Sequence, residues 1–128
     1  MKFKLITIFV LIILNTSLFA HGMNKKGPHG GYIKMPGAFH TELVDKGNKM
    51  FVYLIDINFK NALSNNSHVA VTYKGSKSVD TNCFKEKDYF ICDKPKEKLN
   101  LFQEIIIRAV RNNISASEAV YGLPLKLD

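Results

Sequence analysis

Three of the chain's four histidines, two of its four methionines and five of its eight glycines fall between His21 and Val44, in HGMNKKGPHGGYIKMPGAFHTELV. Imidazole and thioether are donors that copper accepts in either oxidation state, and imidazole also suits zinc or nickel. His21, Met23, His29, Met35 and His40 therefore form a candidate ligand set. His29 sits in KKGPHGG, where three glycines and a proline exclude regular structure and place it on a loop. The run Phe39 to Val44 alternates as a strand does, with Phe39, Thr41 and Leu43 on one face and His40, Glu42 and Val44 on the other. Glu42 is then a ligand beside His40, a carboxylate that orients one, or, as is usual for a lone glutamate on such a strand, part of an exposed polar face. The turn Met35-Pro36-Gly37 is short enough to fold His40 back towards His29, so the two are expected to share one ion.

The segment before this set reads as residues 1–20 of a secretory signal peptide: Lys2 and Lys4, an apolar run from Leu5 to Leu14, a polar break and the small residue Ala20. The run is about half the ~20 residues a spanning helix needs. No second run follows, so no membrane span is expected after cleavage. A cut after Ala20 would make His21 the first residue, and its α-amine and imidazole could chelate one ion together as a histidine brace. A cut after Gly22 would discard it. Both sites fit the cleavage pattern.

The elements that must hold these residues are strands. A chain of 128 residues, 46% hydrophobic and 23% charged, has room for one domain with one modest core. Asp45 to Asn48 is a tight turn into an apolar strand, Lys49 to Ile57. Ser67 to Lys74 alternates with Val69, Val71 and Tyr73 inward, which leaves His68 on the solvent face, a surface histidine or a distant fourth ligand. Ser78 to Cys92 reads as a hairpin with its tip at Glu86 to Tyr89, and that register sets Cys83 opposite Cys92. In an oxidising compartment a disulfide is the default for such a pair, and the C-x-x-C spacing of a thiolate metal site is missing. Leu99 to Val110 is expected as a strand because Ile105-Ile106-Ile107 is β-branched. Ile114 to Leu123 gives a last strand before Pro124. About seven strands with no convincing helix imply an all-β, antiparallel, immunoglobulin-like β-sandwich over residues 39–128, following a His/Met/Gly-rich segment at 21–38.

The formal charge of +7 falls to +5 without Lys2 and Lys4, and the lysines are scattered through turns rather than lined along one helix or stripe. Nucleic acid is therefore not an expected partner. No Ser/His/Asp set, acidic pair, phosphate loop or nucleotide fingerprint is present, so catalysis is not expected. With no heptad and no second apolar face, the chain is expected to be a monomer.

GPHGG, then FHTELV, then a strand that closes on an aspartate in VYLID resembles a group of small exported proteins encoded alongside heavy-metal resistance and efflux systems. The pattern is also similar to a histidine-containing segment of periplasmic adaptor subunits of heavy-metal efflux pumps. Gly27, Pro28, His29, Gly30 and Gly31 match its first part; Phe39, His40, Glu42, Leu43 and Val44 match its second; Val52 to Asp56 match its third. Thr41 departs from it, standing where an apolar residue is usual, and the likeness fades towards the C-terminus. The resemblance implies a β-sandwich in a Gram-negative periplasm that handles metal, copper in first place with zinc or nickel as alternatives. On this reading the chain is a chaperone or buffer linked to efflux, with a heavy-metal efflux adaptor as a partner. The alternative is a non-catalytic interaction module that docks on an efflux adaptor or another envelope protein and in which the histidines are incidental.

Overall fold

The computed structural model describes residues 25–127; the signal peptide expected at 1–20, and with it His21 and Met23, lies outside them. In chain order the strands are β1 (Tyr32–Lys34), β2 (His40–Asp45), β3 (Lys49–Ile55), β4 (His68–Gly75), β5 (Ser78–Thr81), β6 (Cys83–Lys85), β7 (Phe90–Asp93), β8 (Phe102–Arg111), β9 (Ile114–Ser115) and β10 (Ala119–Gly122). One sheet runs β1-β2-β3-β7-β6 and the other β10-β8-β4-β5, with β9 paired to β8; every pairing is antiparallel. Among the described residues the only helical piece is one 3-10 turn, Leu99–Leu101, and no helix is long and apolar enough to cross a membrane.

The order β2-β3-β7-β6 over β10-β8-β4-β5 is the immunoglobulin arrangement A-B-E-D over G-F-C-C′, with β1 added outside β2. The expected fold class is thus observed, with ten described strands in place of about seven. One of the extra strands comes from the Ser78–Cys92 stretch, and another from Ile114–Leu123, which divides into β9 and β10. The first arm of the Ser78–Cys92 stretch is not continuous: β5 pairs with β4 in one sheet, and after Asn82 the chain crosses to pair β6 with β7 in the other. The sandwich also begins before Phe39, since Tyr32–Lys34 of the expected N-terminal segment pairs with Thr41–Leu43. Phe102–Arg111 is a ten-residue strand, as its β-branched run requires. Asn112 and Asn113, both at positive φ (48° and 63°), make the two-residue turn into β9.

The core lies between the sheets, where Leu43, Val52 and Leu54 meet Val71, Tyr73, Ile105 and Ile107. A polar link crosses it: the Tyr121 hydroxyl on β10 donates to the Thr41 carbonyl on β2 at 2.7 Å. Cys83 and Cys92 pair directly across β6–β7 with their sulfurs at a disulfide distance of 2.07 Å. That bridge lies within one sheet, unlike the inter-sheet bridge of antibody domains.

What positions the site is an asymmetry in β2. The first five of its six residues are buried on both faces, although alternation alone would leave one face wet. Phe39, Thr41 and Leu43 face the other sheet. His40, Glu42 and Val44 face outward and are covered by chain that folds over them.

Candidate functional site

The cover over Glu42 is the GPHGG turn. Gly30 donates its amide to the Gly27 carbonyl (2.9 Å), which closes a four-residue turn with Pro28 and His29 at its centre, and Gly27 donates to the Gly31 carbonyl (2.8 Å). Proline presets the second turn position. Gly30 sits at φ +78°, a left-handed conformation that glycine adopts without steric cost. The amides of His29 and Gly31 both donate to Glu42 Oε2 at 2.9 Å, and His29 Nδ1 donates to Glu42 Oε1 at 2.7 Å. Three donors thus surround a carboxylate that is 0% exposed, which is the condition for burying a charge. There is no room to spare: a Cβ on Gly27 would lie 2.4 Å from Glu42 Cδ, and one on Gly31 would lie 2.5 Å from the Leu43 carbonyl oxygen.

This contact fixes the chemistry of His29. An ionised carboxylate only accepts, so the proton is on Nδ1, and in the neutral ring Nε2 keeps its lone pair. The side chain of His29 is 33% exposed. Its ring lies flat on Tyr53, with centroids 3.6 Å apart and planes 7° apart; Tyr53 stacks in turn on Tyr89 at 5.0 Å, and Tyr89 leans on Phe51 at 5.1 Å. Burial, and then the nearby Tyr89, Asp88 and Glu42, push the Tyr53 phenol above its ordinary value, so it is neutral near pH 7.

His40 lies on the same face of β2 with partners of its own. Its Nδ1 donates to the Asp56 carbonyl at 3.0 Å and its ring stacks on Phe59 at 4.2 Å, leaving the residue 4% exposed. The Asp56 carboxylate organises that loop by accepting the amides of Asn58 and Lys60 and the side-chain amide of Asn61. The Met35–Gly37 turn does bring β1 back onto β2, but the residue that meets His29 is Glu42. Met35 is 52% exposed in that turn, and His68 is exposed on β4 in the other sheet. Of the three readings open to Glu42, an exposed polar face is overturned by its complete burial under the turn, and the carboxylate that orients a histidine is the role its geometry fits, because both oxygens are engaged by the turn. Among the described residues no three of His, Cys, Asp or Glu are grouped closely enough to hold a metal ion.

Tyr53, Tyr89 and Phe59 belong to this site without being singled out by residue type or spacing in the sequence. Tyr53 carried a signal, since the turn Asp45–Asn48 sets it opposite Glu42 and hence on the same face. Phe59 carried none, because its position depends on the positive φ values of Phe59 and Asn61 within a loop. Comparison of the chain with family models, curated proteins and solved structures gave no match.

Proposed function

We propose that this chain is an exported metal-binding protein, a copper chaperone or buffer linked to heavy-metal efflux, with Nε2 of His29 as its anchoring ligand. The observation that carries this reading is the Glu42–His29 contact. A carboxylate that holds Nδ1–H, sets the tautomer and raises the basicity of the other nitrogen is the usual companion of a metal-ligating imidazole. The glycines and proline of the turn are explained by the carboxylate cradle alone. A histidine at its centre adds a surface nitrogen that the cradle does not use.

One imidazole is not a site, so further donors are required. His21 and Met23 lie eight and six residues upstream and supply nitrogen and sulfur, with the His21 amine added if the signal is cut after Ala20. A nitrogen-rich set with a thioether favours copper, with zinc or nickel as alternatives. The test is titration of the exported protein with copper(II) and zinc(II). His29→Ala removes most binding and His68→Ala leaves it intact, while His40→Ala shows whether that buried ring contributes. Unchanged copper and zinc affinity in His29→Ala overturns the proposal.

A second reading, an interaction module that docks on an efflux adaptor, draws on Phe84. It is 58% exposed on the edge strand β6, in one cross-strand row with Ile91 and Phe51. Phe84→Ser would abolish adaptor binding and leave metal binding alone on that reading.

A further inference from the structure

We propose that Tyr53 is a positioning residue for the metal site, setting the plane of the His29 ring while Glu42 sets its rotation, so that Nε2 is presented in one direction. This rests on the metal-binding reading above. His29 occupies a glycine-flanked surface turn, a setting in which an imidazole would ordinarily sample several rotamers. Two independent restraints remove that freedom. The hydrogen bond from Nδ1 to Glu42 fixes one edge of the ring. The near-parallel stack, 3.6 Å and 7°, fixes its tilt, and Tyr53 is itself backed by Tyr89. Ordering before the ligand arrives removes the cost of immobilising that side chain on binding, which corresponds to about three- to tenfold in affinity. The stack also discriminates between states. With a metal bound at Nε2 the imidazole would become electron-poor, and the electron-rich face of Tyr53 would favour such a ring above it, as it favours a cation.

The experiment uses the purified exported protein with copper(II) sulfate and zinc(II) chloride as probes. The chain has five tyrosines and no tryptophan, so tyrosine emission is read directly. Tyr53→Phe keeps the stacked face and is expected to bind both ions as the parent does, while most of the copper quenching of tyrosine emission disappears, because the nearest emitter is gone. Tyr53→Leu keeps an apolar cover without the aromatic face and is expected to bind about three- to tenfold more weakly. Tyr53→Val, better suited to a strand, repeats the measurement should Tyr53→Leu lose the β spectrum of the parent. Parent-like affinity in the folded aliphatic variant, with His29→Ala still weak, overturns the role of Tyr53 alone. Parent-like affinity in His29→Ala overturns the site and this inference together. Copper quenching retained in Tyr53→Phe at parent-like affinity also overturns the inference, because the ion then sits elsewhere.

Discussion

Glu42 grips His29 twice, accepting its backbone amide on one carboxylate oxygen and its ring Nδ1 on the other, across thirteen residues of sequence. The arrangement predicts an unusual effect for a conservative change. In Glu42→Gln the amide oxygen must still receive the His29 and Gly31 backbone donors, so the new NH2 group faces Nδ1. Two donors cannot face one another, and His29 is driven to carry its proton on Nε2, the nitrogen proposed as the ligand. We expect copper affinity to fall about 10- to 100-fold with the fold retained. Nitrogen chemical shifts of the His29 ring check the tautomer, and a proton that stays on Nδ1 would refute the argument.

The second prediction concerns the fit of the turn. Gly27→Ala places a methyl group 2.4 Å from Glu42 Cδ and 2.7 Å from Ile33 Cδ1. Neither neighbour can retreat, since Glu42 is held by three donors and Ile33 is buried in β1. Overpacking of this kind costs about 1–3 kcal/mol. Urea unfolding measures it, and the variant should also lose copper affinity as the cradle shifts. Parent-like stability would mean that the turn is looser than its contacts imply.

These contacts show which parts of the molecule could be read from the chain and which could not. Alternation placed His40 and Glu42 on one face of β2, and counting along the hairpin placed Cys83 opposite Cys92, Phe84 opposite Ile91 and Lys85 opposite Phe90, as observed. Both are local, period-two arguments. The burial of the outer face of β2 has no local signature, because the Gly27–Gly31 turn that covers it gains its shape from Glu42 itself. The crossing at Asn82 was equally hidden, since a strand that leaves one sheet for the other keeps the same alternation. His40 is expected to join His29 at one ion, and the carbonyl and aromatic face that the loop from Asp56 to Asn61 gives it had no signature in the sequence.

A third prediction addresses the bridge. Cys83 and Cys92 lie nine residues apart, and closing so short a loop stabilises by about 2–3 kcal/mol in the chain-entropy model. The doubly substituted Cys83→Ser, Cys92→Ser protein should unfold at lower urea by that margin. Intact mass of the protein, isolated from the compartment to which the proposed export delivers it, should rise by about two hydrogens on reduction. Two free thiols in protein taken from the oxidising compartment would reject the bridge.

The fourth prediction uses Thr41, whose side chain faces the core where the resembled pattern carries an apolar residue. Its Oγ1 is buried without a hydrogen-bond partner, while its carbonyl holds the Tyr121 hydroxyl. Thr41→Val keeps the branched shape and the carbonyl and removes the unpaired hydroxyl. A gain of about 1 kcal/mol is expected in urea unfolding. A loss would show that the hydroxyl is satisfied in solution.

The last prediction is a pH dependence confined to the Asp56 loop. The Lys60 amide, then the Asn61 side chain, the Asn58 amide and the Arg111 charge hold the Asp56 carboxyl below its ordinary value. A carboxylate whose folded value is depressed contributes stability that is present above the unfolded value of about 3.9 and is lost as pH falls through the folded value. Acid should therefore loosen the turn that carries Phe59 onto His40 and whose Asp56 carbonyl receives His40 Nδ1. Amide protection factors of Asn58 and Lys60 should drop between about pH 6 and pH 3 by more than those of the β2 and β3 ladder. Asp56→Asn, which keeps an acceptor oxygen without the titrating charge, should flatten that difference. Equal pH sensitivity of the loop in parent and Asp56→Asn would place the titrating group elsewhere and sink the assignment.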